Sequence, residues 1–114
     1  AAIRDADFLL FCTGWDKKWG SPEYYEGFPC LTADAAAHLA SLPLKGVGED
    51  TISLDPCDSV DFPNHMTLLG AGLVNTENLK GLDRLIGRPF TFMTLPLKFE
   101  NSDGCSCRAI AMEE

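Results

Sequence analysis

The residues with the clearest capacity for chemistry are His65 and Glu77. They bracket a stretch that reads as a short helix, a glycine turn and a short strand. Pro63 suits a first helical turn, where its missing N–H costs nothing. Gly70 and Gly72 stop the helix and let the chain reverse. Leu73 to Glu77 then reads as a strand. The helix from His65 to Ala71 covers roughly 9 Å, and the strand from Leu73 to Glu77 roughly 13 Å. A reversal at the glycines therefore brings Glu77 back to the end that carries His65. An imidazole beside a carboxylate is a donor pair suited to zinc or manganese. The ordinary reading stands beside it: a lone histidine on a partly apolar helix packs, and a glutamate at a strand end is solvated.

The surrounding chain has to position this pair. Ala6 to Thr13 reads as a buried strand ending at Gly14, with Cys12 a buried thiol within it. Gly14 to Pro29 is a long loop carrying Trp15, Trp19, Tyr24, Tyr25 and Phe28. These aromatics could wall a pocket for a planar substrate or anchor the loop to the core. Thr32 suits an N-cap, and a helix runs from Ala33 to about Leu42 with Asp34 in its first turn. Ala36, Leu39 and Ala40 form its apolar stripe, and Pro43 ends it. His38 lies off that stripe and reads as a surface histidine with no chemistry.

Lys45 to Leu54 carries a second strand, Gly46-Val47-Gly48 and then Thr51 to Leu54. Glu49, a charge in that strand, points to a strand less buried than usual or to a position released from constraint. Asp55 to Ser59 is a turn whose acids, although next in sequence to the His65 helix, are expected to be solvated. Asn78 to Pro89 is a polar connection. Phe90 to Phe99 alternates as a strand with two partly covered faces, and Pro96 marks an edge or bulge. Arg108 to Met112 is a last strand. The sum is an α/β domain spanning 1–114, with a mostly β core and two main helices near 33–42 and 63–70.

Composition narrows the partners. The formal charge is -8, from 17 acidic and 9 basic residues, which argues against nucleic-acid phosphate. No apolar run is long enough to cross a bilayer, and the N-terminus lacks the pattern of a secretory signal. Five cysteines, Cys12, Cys30, Cys57, Cys105 and Cys107, cannot all pair, so a reducing cytoplasm fits best. Cys105-x-Cys107 offers two thiolates, short of a four-ligand metal site.

One further pattern is wider than any of these. His65, then Leu68-Leu69-Gly70-Ala71-Gly72, then Glu77-Asn78-Leu79 resembles the C-terminal half of the metal-dependent cyclase family, which includes kynurenine formamidase and isatin hydrolase. Thr13-Gly14-Trp15, Ser21 to Pro29, Ser53-Leu54-Asp55-Pro56, Phe90-Thr91-Phe92, Leu95 to Lys98, Asp103-Gly104 and Arg108 to Ala111 fit in order. The resemblance implies a swivelling β/β/α fold. It also implies His65 and Glu77 as ligands to one of two divalent metal ions, zinc or manganese, in a hydrolase of small-molecule amide bonds such as N-formylkynurenine. The family's His-x-Gly-Thr-His-x-Asp-x-Pro-x-His signature, which supplies most metal ligands and the proton-transferring histidine, has no counterpart here, where the histidines are His38 and His65. No catalytic residue is therefore assigned.

Two functions follow as expectations: part of a hydrolase that is inactive until a missing half completes it, or a non-catalytic binding or assembly module on the same fold. Either should self-associate or take a complementing chain, with Phe8 to Phe11 and Phe90 to Phe92 as the exposed apolar patches.

Overall fold

The computed structural model describes residues 2–113. They form two compact units, one running through Arg84 and one from Leu85. In the first unit short strands alternate with helices: β1 (Phe8–Phe11), α1 (Ala33–Ala40), β2 (Gly46–Glu49), α2 (Pro63–Gly70) and β3 (Val74–Thr76). Each crossover contains a helix, as parallel neighbours require. The three strands form a parallel sheet in the order β1-β2-β3. Phe11 pairs with Glu49, and Gly48 pairs with Thr76. Glu77 therefore follows β3 level with Glu49, at the carboxyl ends of the strands.

One sheet face is buried by the helices. Val47 of β2 clusters with Ala36 and Leu39 of α1, Leu68 of α2, and Leu44, Leu54 and Leu73. The two helices also pack on each other. Side chains alternate along a strand, so Glu49 shares the helix face with Val47. Gly46 and Gly48 share the other face, which has no room for a side chain there. A methyl group on Gly46 would lie 2.5 Å from the Val74 carbonyl oxygen and 2.6 Å from the Phe8 ring. On Gly48 it would meet Leu79 at 2.7 Å and Leu10 at 2.8 Å. Gly46→Ala is expected to lower stability by about 2 kcal/mol, because a backbone carbonyl must move. Gly70→Ala, with open space around it, should be near neutral in the same urea titration.

The helices form where the sequence places them. The Thr32 hydroxyl accepts from the Ala35 N–H and caps α1, which ends two residues before Leu42. The segment from Thr51 to Leu54, expected to continue β2, is an irregular, bent stretch. The chain bends after Glu49 because the Asp50 carboxylate accepts from the Thr13 N–H at 2.9 Å, the Thr13 hydroxyl at 2.6 Å and the Gly14 N–H at 2.7 Å. That knot ties the end of β1 to the end of β2. The expectation of a less buried β2 is also corrected. All four of its residues are buried, and Glu49 is 2% exposed. Cys12, expected to be buried, is exposed because β1 stops at Phe11.

The aromatic loop anchors itself. It folds into two short 3-10 turns, Trp15–Lys18 and Pro22–Tyr25. Tyr24 and Phe28 are buried, and the Trp15 indole N–H donates to the Tyr24 carbonyl at 2.9 Å. The Trp19 ring meets Tyr24 edge-on. The Tyr24 hydroxyl donates to Asn78 Oδ1 at 2.8 Å, and burial pushes its pKa up to about 12, so it stays a donor at neutral pH.

The second unit is an antiparallel hairpin of β4 (Phe90–Pro96) and β5 (Cys107–Glu113). Pro96 ends β4, opposite Cys107, in a two-stranded ribbon whose strands are both edges. Arg88 pairs with Glu113 at 2.7 Å. The expected exposed patches need correcting. Phe8 to Phe11, Phe90 and Phe92 are half-buried, whereas Leu95, Leu97, Phe99 and Met112 are the large apolar side chains most exposed in the hairpin.

Candidate metal centre

The site grows from the first turn of α2. The N–H groups of a first helical turn have no partners within the helix. Pro63 removes one of them, and Phe62, in a left-handed conformation with φ 46°, offers no side-chain cap. Asp55 supplies the acceptor instead. Its Oδ1 accepts from the Asn64 N–H at 2.9 Å and its Oδ2 from the His65 N–H at 3.0 Å. The same Oδ2 lies 2.7 Å from His65 Nδ1. On the far side of the ring, His65 Nε2 lies 2.8 Å from Glu77 Oε1.

His65 and Glu77 are thus brought together as the helix-turn-strand geometry requires. The imidazole stands between two carboxylates, one of which sequence reasoning placed in solvent. Asp55 is fully buried, and the expectation that it is solvated is wrong for a reason visible in the chain. A helix opening on Phe62-Pro63-Asn64 has no strong N-cap of its own, so an acceptor must come from elsewhere.

The charges follow from these contacts. Burial pushes the Asp55 carboxyl upward, but hydrogen bonds from His65 and from the Asn64 and His65 backbone N–H groups outweigh it and hold the group below its usual value. Burial likewise pulls the His65 imidazole down, but the Asp55 and Glu77 hydrogen bonds and charges hold it above the usual histidine value. Asn75 adds a neighbour that sequence reasoning also missed. Its Nδ2 donates to Glu77 Oε1 and to Glu49 Oε1, each at 3.2 Å. Burial pushes the Glu49 carboxyl up to about 8; the Asn75 hydrogen bond offsets this only in part, and the Glu77 and Asp50 charges reinforce it.

The donor set suits a divalent ion as part of a site. Asp55 engages Nδ1 and leaves Nε2 facing a carboxylate, an arrangement that orients a metal-binding imidazole. Among the described residues, no three His, Cys, Asp or Glu side chains converge as a metal-binding group. His65 and Glu77 offer two donors, one fewer than the three protein ligands of a catalytic zinc site.

Residues 1–56 match the family described as Cyclase. Kynurenine formamidase of Salinibacter ruber is 39% identical over 80 residues, which cover 70% of this chain and 37% of that protein. The chain is similar to the cyclases over part of their length. An isatin hydrolase bound to the product analogue thioisatinate superposes with a TM-score of 0.82 at 27% identity, covering 92% of this cyclase-like chain and 44% of that one. A potential metal-dependent hydrolase with cyclase activity superposes with a TM-score of 0.78 at 27% identity, covering 100% and 54%. The cyclase-like chain thus spans about half the length of the proteins it matches, or less. Among its described residues no helix is long and apolar enough to cross a membrane.

Proposed function

We propose that this chain supplies part of the active site of a metal-dependent hydrolase that cleaves amide bonds in small molecules of the N-formylkynurenine or cyclic-amide type. The observation that carries the reading is His65, engaged through Nδ1 by buried Asp55 and with Nε2 2.8 Å from Glu77. His65 is a neutral imidazole ligand, Glu77 a carboxylate ligand, and Asp55 a positioning residue that holds the ring and its Nδ1 proton. A bound divalent ion, zinc or manganese, lowers the pKa of water and polarises a carbonyl. Asn75 steadies Glu77 through Oε1. Groups from a second copy of the chain, from another polypeptide or from a preceding segment of a longer protein complete the ligand set. A reducing compartment such as the cytoplasm suits the five free cysteines. The lack of a third ligand among the described residues favours a second reading, a non-catalytic binding or assembly module that keeps the cyclase-like fold.

Titration calorimetry with zinc and manganese tests the site. Weak binding is expected, abolished by His65→Ala. It should weaken further as pH falls, because the ion must displace a proton that Asp55 and Glu77 hold on the imidazole above its usual pKa. Tight binding that survives His65→Ala would place the ligands elsewhere, with Cys105 and Cys107 next to test. Efficient metal-dependent hydrolysis of N-formylkynurenine by the chain alone would remove the need for completing groups.

A further inference from the structure

The hairpin of the second unit carries Cys105 and Cys107, which have no part in the His65–Glu77 site. After β4, Asn101 takes a left-handed φ of 57° and the Ser102 hydroxyl donates to the Gly104 carbonyl as the chain turns back. Cys105 returns beside the end of β4, where its thiol donates to the Leu97 carbonyl at 3.4 Å. Cys107 then opens β5 opposite Pro96. Residues two apart on a strand share a face, so Cys107 lies on the face of Thr94 and Pro96. The Thr94 hydroxyl donates to its sulfur at 3.3 Å. Both sulfurs are thus held against the end of β4, with Ser106 alone between them in the chain. Both cysteines are free and exposed.

We propose that Cys105 and Cys107 form a two-coordinate site for a soft monovalent metal ion of the Cu(I) class. The choice follows from the type, number and spacing of the donors. Thiolate sulfur is a soft ligand that selects Cu(I), whereas magnesium, calcium and manganese take oxygen. A structural zinc site needs four ligands, and among the described residues no third His, Cys, Asp or Glu side chain joins the pair. Cu(I) has a filled d shell and a single charge, and two sulfurs across a line satisfy it. That arrangement sets the sulfurs roughly 4.5 Å apart, about twice a metal–sulfur bond. Cα atoms two residues apart on an extended chain lie roughly 6.6 Å apart, a span that two cysteine side chains can narrow to that separation with the backbone in place. A direct S–S bond would draw the Cα atoms toward the usual separation of about 5.5–6 Å. Binding forms two S–Cu bonds and releases the thiol protons to water, and no electron is transferred. Exposure of both cysteines lets an incoming thiol reach the ion, so the site exchanges its metal with thiol ligands rather than locking it into the fold. The site is chemically independent of His65 and Glu77, whose nitrogen and oxygen donors suit harder ions.

The test titrates the reduced full chain with Cu(I) under anaerobic conditions, against a chromogenic Cu(I) chelator. A variant with Cys12→Ser, Cys30→Ser and Cys57→Ser keeps only the pair. It is expected to withdraw one ion per chain without a change in sedimentation, and X-ray absorption should show two sulfur neighbours. Cys105→Ser or Cys107→Ser in that background should lower affinity on the order of a hundredfold, and His65→Ala should leave it unchanged. In the wild type, which guards against a folding defect in the triple variant, one equivalent of Cu(I) should protect Cys105 and Cys107 from alkylation, read by peptide mass spectrometry, and leave Cys12 and Cys57 reactive. Uptake that survives loss of both Cys105 and Cys107 would overturn the proposal by placing the ligands elsewhere. Zinc held as tightly as Cu(I) would overturn the two-coordinate assignment. One ion shared by two chains, seen as a doubled mass on adding Cu(I), would replace it with a site between copies. Alkylation of the pair unaffected by Cu(I) in the folded wild type would refute it outright.

Discussion

Asp55→Ala is expected to cost about 3 kcal/mol of folding stability, the loss typical of removing one partner from a buried ion pair. The carboxylate has three contacts at once. It accepts from the first two free N–H groups of α2 and engages the imidazole of His65. Alanine would leave two helix-terminal donors and one ring nitrogen without partners at a fully buried point. Asp55→Asn, which keeps one acceptor oxygen, should lose less. The pH dependence has a definite sign. The Asp55 carboxyl is held below its usual value of 3.8, so its contribution is present above that pH and lost as pH falls through its lowered native value. His65 is held above its usual value of 6.5, so its contribution is complete below that pH and lost as pH rises through its raised native value. Urea midpoints of the wild type should therefore decline at both ends of the range, and Asp55→Ala should flatten the profile. A variant within about 1 kcal/mol of wild type, against this expected cost, would show that the carboxylate is dispensable to the fold.

The second large effect is expected at Asp50. Asp50→Ala strands the Thr13 N–H, the Thr13 hydroxyl and the Gly14 N–H, which have this carboxylate as their common acceptor. Each unpaired buried donor costs roughly 1–3 kcal/mol, and water reaches part of this junction, so a total of about 3 kcal/mol is expected. The readout is local. Amide exchange at Thr13 and Gly14 should accelerate by at least tenfold, and Trp15 fluorescence should shift as the loop start loosens. Amide protection left intact at both residues would mean that the two strand ends are held together by the sheet alone.

The parts of the fold set by local rules were legible. Thr32 capped its helix, Pro63 opened the next, and the glycines near 70–72 turned the chain so that Glu77 reached His65. Long-range polar pairing was not legible. Asp55 in a turn looks solvated until the uncapped start of α2 is counted against it. Glu49 reads as a breach in a buried strand, because its partner Asn75 lies 26 residues away on another strand. Thr51 to Leu54 has strand composition, but the bend imposed by Asp50 overrides it. In each case an acidic side chain found its donors across the fold, which no periodicity records.

The threefold bonding of Asp55 bears on how this chain can change over evolutionary time. A lineage released from chemistry would still keep Asp55, because losing it damages the helix start whatever the site does. Glu77, 31% exposed in its side chain, is under no comparable structural demand. If Glu77 holds a metal ion as proposed, drift at position 77 with position 55 held fixed among natural variants would mark a lineage that has left catalysis. Joint retention of both residues would mark one still selected for it.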